Sequence, residues 1–415
     1  MTCRCNNRSD HRRGISLIEV LISIFVMAVG LLGVLSLMPL AHHEANRGMI
    51  EDRKGQVGRA ALRDFRVRGM AAARTEMLLD ANFAPVPDPS GQPIRTIVPV
   101  NWLAIDPSTG NPKRVVIAKT IPPNPFIPRL DERVFFSGQS FVIDPRMLAT
   151  QGVAASVLLA SKFPFQLLPE VANPLMERIT LRPSALNYPV VMNGPGDPLL
   201  PMSLAQADHI FIAQDDLSID RPDDGDLPPE QLFTIGTNGV GKRQSDGGFS
   251  WMATLVPELG GDAQYTLSIV VFYQRDSQMN VDQVNERRLV LDMFLSGGIG
   301  GGDIRLSSPA QELLDDVKAG QWLMLSQATP TEWRFRWYRI LAAGDDPIPP
   351  GQDPHPLVSN STDWGRYLTL SGGDWTVNPA SPTNPQSPTF ATIVNGVVAV
   401  YEKSIQLETS SFAVQ

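Results

Sequence analysis

Arg12-Arg13-Gly14-Ile15-Ser16-Leu17-Ile18-Glu19-Val20 opens an apolar run that continues to Leu40. From Val20 to Leu40 there is no charged residue, and the run ends where His42, His43 and Glu44 begin. At about 1.5 Å per helical residue this covers roughly the 30 Å hydrocarbon core of a bilayer. Lipid offers backbone groups no hydrogen-bond partner, so a single spanning segment has to be a helix. Arg4, Arg8, Arg12 and Arg13 precede it against the single Asp10, a bias that keeps the N-terminus cytoplasmic. Glu19 lies inside the apolar run, where a lone carboxylate costs several kcal/mol unless it is paired.

A basic leader, a Gly, and a hydrophobic helix with Glu as its fifth residue make this stretch resemble the type IV prepilin family. The resemblance implies cleavage by a prepilin peptidase between Gly14 and Ile15 and methylation of the new amine on Ile15. It further implies that Glu19 pairs with the N-terminal amine of a neighbouring subunit. Burying an acid beside an amine relieves the desolvation of both, which gives that pairing a physical basis. Ile15 stands where the family usually has Phe, and it meets the same apolar requirement. The run from Val20 to Leu35 is most similar to the PilV-type minor pilins. A secretory signal differs, with an apolar core of about 7–15 residues and a small-residue cut site behind it. Here the run is longer and Pro39-Leu40-Ala41 follows.

A chain of 415 residues leaves room after the anchor for one large or two ordinary extracytoplasmic domains, and a hydrophobic content of 43% suffices for a core. Both cysteines, Cys3 and Cys5, precede Gly14, so a chain cut there holds no disulfide and depends on packing. The formal charge is −8; less the leader's +3, the mature chain stands at −11. An acidic body argues against nucleic acid as a partner, since phosphate contacts need Lys and Arg.

The expected fold class is α+β: a long N-terminal transmembrane-plus-amphipathic helix packed on an antiparallel β-sheet body with Pro-rich loops. The leader is 1–14 and the transmembrane assembly helix 15–41. An amphipathic continuation runs over 42–80, where Ile50, Val57, Ala61, Phe65, Ala72 and Leu79 form one helical stripe. Gly48, Gly55, Gly58 and Gly69 weaken it and mark kinks or a break. Residues 81–262 read as a Pro-rich mixed α/β region. Strands are expected near 115–117, 134–136, 141–143 and 209–213, with a short helix over 147–159. Residues 263–415 read as β-rich, with strands near 265–273, 289–295, 321–325, 333–342 and 367–370. Asn395-Gly396 between apolar runs predicts a two-residue hairpin. The 344–389 stretch, rich in Pro, Gly, Asp and Ser, reads as a long surface loop or insertion.

Other patterns carry less chemistry. Gly236-Thr237-Asn238-Gly239-Val240-Gly241-Lys242-Arg243 nearly spells a phosphate loop, but Arg243 stands where a hydroxyl should hold Mg²⁺, so a β-turn is expected. Gly297 to Gly302 suits a loop approaching neighbouring backbone. Asp215, Asp216, Asp220, Asp223, Asp224 and Asp226 offer oxygen ligands for a structural calcium, as in some pilin-like subunits; their spacing is not that of an EF-hand, and a solvated acidic loop is the favoured reading. No other cofactor is expected. His209 and His355 are isolated and no nucleophile motif is present, so catalysis is not expected. Trp333-Arg334-Phe335-Arg336-Trp337-Tyr338 alternates as a half-buried strand does.

These features point to a minor pilin-like subunit of a type IV pilus or a type II secretion pseudopilus. Its partners would be other pilin or pseudopilin subunits, the prepilin peptidase and the inner-membrane assembly platform. It would sit in the inner membrane as a single pass with a periplasmic body, then in a filament. The alternative is a membrane-anchored extracytoplasmic binding module or enzyme that uses a pilin-type anchor.

Overall fold

The computed structural model describes residues 17–106, 109–120, 127–136, 138–150, 161–165, 175–183, 199–213, 233–235, 241–243, 248–258, 263–275, 285–295, 300–328, 333–356, 358–359, 361–375 and 389–409. The class is α+β: an N-terminal apolar helix followed by a body dominated by antiparallel sheet. Two compact units divide the chain, Met1–Arg53 and Lys54–Gln415.

Helix α1 covers Leu17–Val67. Strands β1 (Ala72–Met77), β2 (Arg95–Pro99), β3 (Trp102–Ile105), β4 (Pro112–Ala118), β5 (Glu132–Phe136) and β6 (Phe141–Ile143) follow. Next come α2 (Pro145–Thr150), β7 (Lys162–Phe163), β8 (Met176–Leu181) and α3 (Leu204–Phe211). Two short strands, β9 (Phe233–Ile235) and β10 (Gly241–Arg243), pair with each other, and β11 (Phe249–Pro257) and β12 (Gln264–Tyr273) form a long antiparallel pair. The remainder is β13 (Glu286–Phe294), β14 (Gly301–Ser308), α4 (Glu312–Asp315), β15 (Trp322–Ala328), β16 (Trp333–Ala343), β17 (Trp364–Ser371), β18 (Thr389–Val394), β19 (Val397–Gln406) and β20 (Glu408–Thr409).

One mixed sheet takes the order β19-β12-β11-β6-β8-β3-β4-β2-β1-β20, with β5 beside β4 and β7 beside β8. The other element is a closed six-stranded barrel, β13-β14-β17-β16-β15-β18, with every pair antiparallel. Alternate residues face inward, as closure requires. Leu289, Ile304, Leu323, Ile340, Leu368 and Ile393 fill the interior, joined by Leu314 of α4. Met324, Phe335 and Trp337 project from the outer wall and share a second core with Met252, Val270 and Phe272 of the sheet.

Buried ion pairs fasten the barrel to the sheet. Arg178 of β8 is fully buried and donates to both carboxylate oxygens of Glu286 of β13, at 2.7 and 2.9 Å. Arg275 donates to Asp144 at 3.0 and 2.6 Å, and Arg178 lies 3.5 Å from the same carboxylate. Glu286 also accepts the Phe165 backbone N–H at 2.7 Å. Two guanidiniums thus meet two carboxylates with charge balanced, the condition under which charges survive away from water. Burial alone would raise the Asp144 carboxyl, but Arg275 and Arg178 outweigh it and hold it below its ordinary value.

Several expectations are corrected. The helix expected over 42–80 stops at Val67. Gly69 adopts φ +62°, its N–H bonds to the Arg66 carbonyl at 3.0 Å, and the Met70 N–H bonds to the Phe65 carbonyl at 3.0 Å. That is a Schellman stop, and Gly69 ends the helix rather than kinking it. Val57, Ala61 and Phe65 of the stripe are buried as expected, whereas Ala72 opens β1. The strand expected at 209–213 is mostly helix: Ser203 and Gln206 form a capping box that starts α3, a signal present in the sequence as Ser-x-x-Gln. The division at 262/263 falls between β11 and β12, which pair over nine residues from Phe249↔Tyr273 to Pro257↔Tyr265, so it separates nothing. Residues 344–389 are not all loop, because β17 lies within them and closes the barrel.

Asn395-Gly396 does turn the chain, with Gly396 at φ +82°, but its arms do not pair. Strand β18 pairs with β13 and β15, and β19 pairs with β12. The turn is the crossing from barrel to sheet. Turn chemistry fixes a bend and leaves the partner of each arm to tertiary packing.

Two glycines have specific spatial reasons. Gly301 and Gly302 open β14 rather than lying in the expected loop, and a Cβ on Gly301, at φ +86°, would stand 3.1 Å from the Leu370 carbonyl of β17. A Cβ on Gly58 would meet the Tyr401 ring at 2.1 Å, and the Tyr401 hydroxyl donates to the Lys54 carbonyl at 3.2 Å. Gly58 is therefore the seat of Tyr401 on the helix. Gly58→Ala is expected to destabilise the body by about 1–3 kcal/mol through overpacking. Thermal unfolding checks this, and adding Tyr401→Ala should remove most of the Gly58→Ala penalty.

Candidate functional site: the N-terminal helix

Leu17–Pro39 is a 23-residue stretch of mean hydropathy 2.7, and none of its most apolar window is buried. At 1.5 Å per residue it is about 35 Å long, enough to cross a bilayer core of about 30 Å. Leu17, Phe25, Met27 and Leu32 are each more than 60% exposed, a degree of apolar exposure that water does not tolerate along a whole helix. The helix is a candidate membrane anchor.

Glu19 stands exposed in the first helical turn, where the positive end of the macrodipole favours a carboxylate. Its carbonyl accepts the Ser23 hydroxyl at 2.8 Å. No ionisable residue follows before His42, so no charge further along the span can neutralise it. At about 100° per residue, Glu19, Ser23 and Gly30 fall within one arc of the helix. Leu17, Leu21, Ile24, Ala28, Leu31 and Leu35 occupy the opposite side. A Cβ on Gly30 would have no atom within 4 Å among the described residues, so no contact described there requires a glycine.

Gly14 and Ile15, the expected cleavage and methylation positions, lie outside the described residues, as do Asp215, Asp216, Asp220, Asp223, Asp224 and Asp226 of the acidic run. Among the described residues no group of three or more His, Cys, Asp or Glu side chains is placed to hold a metal ion. Residues 236–240 of the near-phosphate loop are outside them too, and Gly241, Lys242 and Arg243 form β10. Asp208 of α3 pairs with Arg146 at 2.7 Å, a structural contact. Phe335 and Trp337 are buried and Arg336 is exposed, as the alternation suggested, while Tyr338 faces the barrel core. The buried charges Arg178, Arg287 and Arg305 did not stand out in the sequence, because each takes partners far along the chain.

A helix of this kind, apolar, unburied and carrying one acid at its start, has the make-up of a candidate membrane anchor. The family model for the prokaryotic N-terminal methylation motif matches residues 9–35, so the chain carries the type IV pilin-like signal. That motif implies processing by a prepilin peptidase and assembly with other pilin subunits. No curated protein matches the chain. No solved structure matches it either.

Proposed function

We propose that the chain is a minor pilin-like subunit, of PilV type by resemblance, in a type IV pilus or a type II secretion pseudopilus. It is cut after Gly14, methylated on Ile15, and held as a single pass with its body in the periplasm until the inner-membrane platform assembles it. Its role is assembly rather than catalysis. The observation that carries this reading is the unburied apolar helix with Glu19 as the single carboxylate of its span. A large body with a closed barrel suits a tip or decorating position better than a repeating one.

Two substitutions test the reading. Gly14→Val leaves the leader attached, seen as a membrane form that keeps the mass of its first 14 residues; normal processing would overturn the reading. Gly30→Leu adds a side chain where the lone subunit has open space and improves helix propensity by about 1 kcal/mol. Membrane insertion and body stability should be unchanged while co-assembly into filaments drops, because the helix face bearing Glu19 is where neighbours approach. Unaltered co-assembly would place the contact on the other side.

A further inference from the structure

Within the body, a cleft of about 280 Å³ opens beside the Asn395-Gly396 crossing. Arg287 of β13, Asp316 and Lys318 after α4, Gln321, Trp322 of β15 and Asn395 line it. Arg287 is the unusual member. It is 8% exposed, yet its contacts are long: 3.4 Å to the Leu313 carbonyl, 3.3 Å to Asn395 Oδ1 and 3.7 Å to Asp316, itself 72% exposed. All exceed the usual 2.7–3.2 Å of an N–H···O bond. Its Nε has no hydrogen-bond partner among the described residues, a property it shares with Arg178, so the length of its contacts is what sets it apart. Burial lowers the Arg287 guanidinium from its ordinary value and Asp316 only partly offsets this. By contrast, buried Arg178 and Arg305 each reach a carboxylate at 2.7 Å.

A buried cation at a cavity wall, whose one carboxylate partner Asp316 stands 3.7 Å away and is itself exposed, leaves room for a closer anion. The other walls narrow the class. Lys318 adds a second, exposed cation. Gln321 Oε1 accepts the Lys318 backbone N–H at 2.9 Å and Asn395 Oδ1 accepts from Arg287, so both amide nitrogens remain as donors. Asp316 supplies an acceptor, and the half-buried indole of Trp322 an apolar wall. Paired amides, a carboxylate and an indole suit a polyhydroxylated ring, and the volume sits at the lower limit of small-molecule pockets. We propose that this cleft binds one acidic sugar unit, with its carboxylate on Arg287 and Lys318 and its ring against Trp322. The site is independent of the assembly helix and of the function assigned to it.

The test is calorimetric titration of the full chain in detergent micelles with glucuronate, with glucose and inorganic phosphate as comparison arms. Saturable glucuronate binding is expected, with glucose at least about tenfold weaker for want of a charge-assisted bond. Lys318→Ala should weaken glucuronate about tenfold, and Arg287→Gln should abolish binding. Should Arg287→Gln not fold, Lys318→Ala and Gln321→Ala, both near the surface, carry the test. Glucuronate heats no larger than those of glucose, binding untouched by Lys318→Ala and Gln321→Ala, or phosphate binding as tightly as glucuronate would each overturn the proposal.

Discussion

Glu286→Ala lowers the stability of the body by about 3–5 kcal/mol, the cost of removing one partner from a buried ion pair. The substitution leaves buried Arg178 and Arg275 to share the single carboxylate of Asp144, and it removes the acceptor of the Phe165 N–H. It also takes away a carboxylate 3.9 Å from Arg275. The guanidiniums cannot shed their protons, so the uncompensated charge stays. Denaturant unfolding should show a lower midpoint with an unchanged slope. Glu76→Ala is the control: its pair with Arg74 is 3.6 Å long and more than a third exposed on both sides, so it should cost less than about 1 kcal/mol.

The same cluster sets an acid limit. Because the Asp144 carboxyl is held below its ordinary value, its contribution is complete above the unfolded value near about pH 4. It is lost as pH falls through the lower folded value. Burial raises Glu132, Asp292 and Glu402 despite nearby arginines, so these shift the profile in the opposite direction. The Asp144 contribution is isolated as the stability difference between wild type and Asp144→Asn. That difference should be constant from neutral pH to about 5 and shrink below about 4. A gap that persists at low pH would mean the role of Asp144 is not electrostatic.

Glu19→Ala has the second large effect, and it acts in opposite directions on the lone subunit and the assembly. Removing a carboxylate from an apolar span eases insertion, since a charged residue there costs about 2.5–3.5 kcal/mol at mid-membrane and less near the end. In the proposed filament the same change would leave a neighbour's N-terminal amine buried without its acid. At about 3 kcal/mol or more, incorporation falls at least about a hundredfold. The expected result is a processed, membrane-retained subunit that does not enter filaments. Glu19→Gln, similar in shape, should behave nearly as badly, because the charge and not the volume is required. Normal incorporation of Glu19→Ala would remove the pairing role.

What could be read from the residues divides along physical lines. Local signals were legible: the apolar span, the β-branched run from Tyr265 to Tyr273, and the buried stripe Val57, Ala61, Phe65. Ser203-x-x-Gln206 is equally local, and it starts a helix where the apolar residues that follow resemble a strand. The barrel was not legible, because closure is decided by which edges meet. Thr389–Val394 looks like half a hairpin, yet its partners are β13, as in Glu286↔Val394, and β15, as in Leu323↔Ile393. Arg178 and Glu286 are separated by 108 positions, so each looked like an ordinary surface charge in its own neighbourhood. Arg287, two residues before Leu289, was hidden for the same reason.

The most direct measurement is the N-terminal residue and intact mass of the native chain purified from membranes. The account predicts a first residue of Ile15 carrying a methyl group on its amine. A chain that still starts at Met1, or one that starts beyond Ala41, would contradict it.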